Sequence, residues 1–228
     1  MTTDTMSVQA HPTRPPRHYP TPAAKCADLV VHVVGLTLAL VGGVVLLAMA
    51  IEARSISLVV GVAIYAAGVL AMLAFSTAYN FAKARYRPVL RRLDHAGIFL
   101  MIAGSYTPFT TQTLTGGWAI GMTTAVWTIA IAGALGKMVL IDLDRRFWVG
   151  LYLALGWLIL IAMRPLVSSV TLGALVLLAA GGVLYSTGVI FYVNKKLKFA
   201  RAIWHGHVVA AATAHWAAVL LGVVLASR

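Results

Sequence analysis

The 228-residue chain is 61% hydrophobic and only 11% charged, with a mean hydropathy of +0.89, so lipid rather than water is its solvent over most of its length. Its 18 Lys and Arg against 6 Asp and Glu do not make it a nucleic-acid binder: the cations stand in short clusters between apolar runs, as they do opposite anionic lipid, and no recognition motif accompanies them. The single cysteine, Cys26, excludes an intrachain disulfide and a cysteine-rich metal site.

Residues 1–24 hold Pro12, Pro15, Pro16, Pro20 and Pro22 among scattered polar residues, a composition that reads as a flexible tail rather than a helix or a signal peptide. From residue 25 onward the chain predicts an all-α membrane domain extending to 228. Seven apolar stretches follow, at 27–51, 55–82, 95–114, 118–141, 147–167, 171–193 and 201–226, each near the roughly 20 residues that cross about 30 Å of hydrocarbon as helix. In the first, Asp28 and His32 stand four residues apart and share a helix face; in the second, Ser76 and Asn80 do the same. Pro108 and Pro165 are positions where a helix is expected to kink or end. The small-residue runs around Gly133 and Gly136, and the pair Gly181-Gly182, allow close helix packing. Trp118, Trp148 and Trp204 fall near helix ends, where amphipathic rings anchor at the interface.

Cation counting orients the bundle. Fifteen Lys and Arg fall in the tail and the second, fourth and sixth connections, against Arg54, Arg164 and Arg228 on the other side. Because cation-rich short loops stay in the cytoplasm, the expectation is a seven-transmembrane-helix bundle with a cytoplasmic N-terminus and an external C-terminus, multi-pass in the cell (inner) membrane, with membrane lipid as its partner. The oligomeric state is not legible. In this topology Ser76 and Asn80, then Asp94 and His95, then Arg201 and His205 all fall at the cytoplasmic end, where they can face one cavity with His32. Ionisable groups inside apolar helices are expensive, and such a set is a functional-site hypothesis by default.

Ser76-Thr77-Ala78-Tyr79-Asn80, Leu93-Asp94-His95-Ala96-Gly97-Ile98, Gly104-Ser105-Tyr106-Thr107-Pro108-Phe109, and Trp204-His205 with His215 ten residues on resemble the hemolysin III family, bacterial relatives of the progestin and adipoQ receptors. The resemblance implies a seven-helix bundle with a cytoplasm-facing zinc site. Its ligands would be a His four residues after the Ser of the second helix and two His spaced by four at the start of the seventh, with the Asp opening the third helix contacting a zinc-bound water. It also implies a likeness to membrane hydrolases of lipid amides, in which zinc lowers the pKa of its water toward about 7.

This chain departs at two of the three ligand positions, which are Asn80 and Arg201, leaving His205. An amide is a poor zinc ligand and a guanidinium is none. Weak or absent zinc binding is therefore expected, with Arg201 supplying the positive charge and pairing with Asp94, and with His32 and His95 as the other imidazoles able to join His205. Ser76 and Asp94 are the candidate catalytic residues; Asn80, Arg201, His32 and His95 are the candidate pocket residues. The function so implied is a membrane or lipid homeostasis factor that, if an enzyme, is a metal-dependent lipid-amide hydrolase. An ion or proton transporter, or a haem-based electron-transfer protein using paired His, is the alternative.

Overall fold

The computed structural model describes residues 18–140, 143–194 and 196–227. Among them the protein is all-helical, without strands. Helix α1 spans Pro22–Glu52, beginning inside the stretch expected to be tail. Pro22 stands in its first turn, where a proline has no intrahelical hydrogen bond to lose, and the Thr21 side chain caps the end by accepting from the Ala24 amide at 3.2 Å. The remainder of the expected tail, 1–17, lies outside the described residues.

Helix α2 (Ile56–Phe81) is capped by Ser55, and a short 3-10 turn at Ala84–Tyr86 leads into α3 (Arg87–Gln112). Helix α4 (Gly116–Val139) precedes a stretch broken into α5 (Arg145–Gly156), a 3-10 segment (Leu158–Ala162) and α6 (Met163–Ser169). Pro165 sits in the first turn of α6, so the expected interruption falls just ahead of it. Helices α7 (Leu172–Val193) and α8 (Ala200–Val219) complete the chain, α8 running on through a π-helical turn to Val224.

Six helical stretches among the described residues are long and apolar enough to cross a membrane: α1, α2, α4, Arg145–Ser169, α7 and Ala200–Val224. Their outward faces carry exposed Val, Leu and Ile, such as Val30, Val44 and Ile131, a surface suited to lipid and not to water. The stretch that falls short of that standard is α3, which carries three Arg and three Thr together with Asp94 and His95. Several of its hydroxyls are nevertheless satisfied locally: those of Ser105, Thr107 and Thr111, and of Thr113 at its C-cap, each donate to the carbonyl four residues back, at 2.7–2.9 Å. That allows α3 to pass through the core, with Phe99, Ala103 and Phe109 buried, and to continue through Pro108.

Two glycines set the α2–α3 crossing. A Cβ on Gly68 would stand 3.1 Å from the Leu100 carbonyl oxygen, and one on Gly104 the same distance from that of Ile64. Backbones approach this closely only where side chains are missing. The same device serves rings elsewhere. Gly136 and Gly182 lie against Trp148 and Trp157, while Gly133 and Gly181 lie against Phe99 and His215. Trp148 is consequently a buried core ring, 3% exposed, and not the interfacial anchor its place near a helix end suggested. His215 donates from Nε2 to the Leu178 carbonyl at 3.3 Å, joining α8 to α7. The bundle closes where α1 packs between α2 and α8, and this closure builds the site.

Candidate functional site at the α1, α2 and α8 junction

Helix α1 supplies two buried polar residues one turn apart. His32 Nδ1–H donates to the backbone carbonyl of Asp28 at 2.8 Å, which leaves its Nε2 lone pair directed across the bundle. Asp28 is fully buried and accepts on both carboxylate oxygens: His205 Nδ1 donates to Oδ1 at 2.6 Å, and the Tyr19 hydroxyl donates to Oδ2 at 2.5 Å. A buried carboxylate persists only when its lone pairs are satisfied in this way.

From α2, Ser76 Oγ lies 3.4 Å from His32 Nε2 and 3.5 Å from His205 Nε2. The two rings meet edge to face with centroids 4.4 Å apart. Asn80 Nδ2 donates to the Ser76 carbonyl at 3.0 Å and approaches Ser76 Oγ at 3.4 Å. Its Oδ1 in turn accepts from Arg201 Nη1 at 3.1 Å. Arg201 therefore does not form the expected ion pair with Asp94. The ion pairs within 4 Å at this cluster are those of Asp28 with His205 and His32. Asn80 lies on the same face as Ser76 and reaches the guanidinium first, and the carboxylate bonded to His205 is that of Asp28.

The residues just ahead of α1 fold over this cluster. His18 Nε2 lies 3.3 Å from Arg201 Nη1, and the Arg201 guanidinium lies 5.5 Å from the centre of the Tyr19 ring. Burial first, and the neighbouring Arg201 second, push the His18 imidazole down to about 4, so it is neutral near pH 7; its Nε2 also lies 3.2 Å from Asn80 Oδ1. Burial, together with the Asp28 carboxylate, raises the Tyr19 phenol and keeps it a donor.

Ser76, Asn80, Asp94, His32, His95, Arg201 and His205 all line one cavity of about 910 Å³. Its remaining wall is largely apolar, with Met72, Leu73, Ile98 and Ile102 among its residues. Arg91, Arg92, Lys137, Arg145 and Lys198 add positive charge to the lining. All the expected site residues thus share one space, in which the Asp94 carboxyl also faces Ser76 and His205. Sequence reasoning noted Asp28 only as part of a polar pair on α1, and missed His18 and Tyr19 altogether.

The chain matches the family model described as haemolysin-III related over residues 26–216. It belongs to that family. The hemolysin-3 of Bacillus cereus is 35% identical over 182 residues, covering 78% of this chain and 82% of that protein, and the hemolysin-3 homolog of Bacillus subtilis (strain 168) is 32% identical over 195 residues, covering 85% and 92%. The human monocyte to macrophage differentiation factor is similar at greater distance, 28% identical over 163 residues and covering 68% and 67%.

Against the zinc site that the hemolysin III resemblance implies, the geometry is discordant. Asn80 and Arg201 are in contact with each other, so a fixed cation stands where a metal would need two more imidazoles. A shifted donor set exists: Asp28, His32 and His205 offer three ligand atoms within 4.8 Å of one another. There the His205 Nδ1 is bonded to Asp28, which leaves the Nε2 atoms of His205 and His32 as its open imidazole nitrogens. The family's zinc site does not fit this chain.

Proposed function

We propose that this haemolysin-III family protein is a seven-span membrane protein with a cytoplasmic N-terminus and an external C-terminus, acting on membrane lipid as a lipid homeostasis factor. It does so from a cytoplasm-facing polar site that works without tightly held zinc. The observation that carries the reading is a buried carboxylate–imidazole–hydroxyl cluster opening on a cavity of about 910 Å³ with a largely apolar wall. Such a space takes the chain of an amphiphile and brings its polar end to the reacting groups. Seven spans follow from counting α3 with the six apolar stretches, and the side from the cation-rich connections. Ser76 and Asp94 are its working residues, with Asn80, Arg201, His32 and His95 shaping the pocket.

Reporters active on one side of the membrane only, fused to each end, are expected to give opposite-side signals; same-side signals would refute the odd span count. Function is tested by comparing lipid extracts of membranes carrying the native protein with extracts of membranes carrying Ser76→Ala at equal abundance. A shift in membrane lipid composition present with the first and absent with the second is expected. Identical profiles would contradict the reading.

A further inference from the structure

The geometry points to a metal-independent acyl hydrolase in this cluster: Ser76 as nucleophile, His205 as general base and Asp28 as the carboxylate that positions His205, acting on an ester or amide of an apolar acyl chain. The inference rests on the lipid-directed reading above and gives it a chemistry.

The three groups stand in the order that activates a hydroxyl. Asp28 Oδ1 takes the Nδ1–H of His205 at 2.6 Å, which fixes the tautomer so that Nε2 faces Ser76 Oγ at 3.5 Å. A separation at the long end of hydrogen-bonding range is common before substrate binds. His32 Nε2 is equally near, at 3.4 Å, but its Nδ1 hydrogen bond goes to a neutral backbone carbonyl, with the Asp28 carboxylate 3.7 Å away. His205 is the ring whose protonated form the carboxylate stabilises directly, so it takes the proton. The two departures from the family's zinc ligands acquire a role as well. Arg201 holds the Asn80 Oδ1, which turns the Asn80 Nδ2 back onto Ser76, 3.0 Å from its carbonyl oxygen and 3.4 Å from its Oγ, so the pair positions the serine.

The steps balance without a metal or a redox partner. Ser76 Oγ bonds to the acyl carbonyl carbon while its proton passes to His205 Nε2. The C–O or C–N bond of the substrate then breaks, and that proton leaves on the alcohol or amine. Water, the only co-reactant, gives a proton to His205 Nε2 as its oxygen attacks the acyl-serine; the proton returns to Ser76 Oγ as the acid departs.

The test uses the full-length protein in detergent with a long-chain alkyl fluorophosphonate, in the presence of a strong zinc chelator. Its phosphorus bonds to an activated serine oxygen as fluoride leaves. An adduct mapped by mass spectrometry to Ser76, formed at the same rate with and without chelator, is the expected result. His205→Ala should slow it by about 10²–10⁴-fold. Asp28→Asn should lower the maximal labelling rate by about 100-fold or more while leaving half-saturation by the probe unchanged, a split that a merely structural role would not produce. No adduct on native Ser76, labelling abolished by chelator, or rates unchanged in both variants would each overturn the inference. The native arm decides the matter even where a variant fails to fold, and an unchanged lipid profile with labelled Ser76 would reject the homeostasis role alone.

Discussion

Asp28→Ala should destabilise the detergent-solubilised protein by about 3–5 kcal/mol, the loss typical of breaking a buried charge pair from one side. The residue is fully buried, and its removal strands the Nδ1–H of His205 and the hydroxyl of Tyr19, both of which donate to it. His205→Ala should also cost stability, since it leaves Asp28 with one partner fewer. The double variant should cost less than the sum of the singles, because the second change removes a group that the first has already orphaned. Thermal or denaturant unfolding of the four proteins checks this. Strict additivity would mean that the 2.6 Å contact between α1 and α8 contributes nothing to holding the bundle closed.

The second large effect is a gain. Asn80→His combined with Arg201→His should bring zinc to about one ion per chain, because the two native side chains already meet at 3.1 Å beside His205, and the change swaps a fixed cation and an amide for two imidazoles. Zinc at 100 times its dissociation constant would raise the stability of the variant by about 2.7 kcal/mol. Zinc content and the zinc dependence of the unfolding midpoint report the two effects independently. Neither single substitution should suffice, since each leaves one native obstacle in place.

The polar clusters were legible because ionisable residues stand out against apolar helices: Ser76, Asn80, Asp94, Arg201 and His205 all line the cavity they were expected to share. Pairing within that space was not. At this end of the bundle Arg201 can reach Asn80 or Asp94, and helical periodicity places both near it; the choice depends on how α2 and α8 pack. The Asp28–His205 contact joins residues 177 positions apart, through a closure of α1 on α8 that local pattern does not encode. His18 and Tyr19 were hidden by proline density, which correctly argues against a helix but says nothing about a short bent segment anchored by two rings. Pro22 misled in the same way, because a proline disfavours a helix interior but is well accommodated in the first turn. The polar α3 shows the converse: its Ser and Thr lowered its hydropathy, yet hydroxyl bonds to its own carbonyls let it lie in the core.

The claim on which the site rests is that Arg201, Asn80 and the Asp28–His205 pair stand in place of the family's metal. The measurement closest to it is elemental analysis of the native protein purified without added metal or chelator, beside His205→Ala prepared identically. Zinc well below one ion per chain, and no different between the two, is the expected result. Near-stoichiometric zinc in the native protein that disappears with His205→Ala would contradict it.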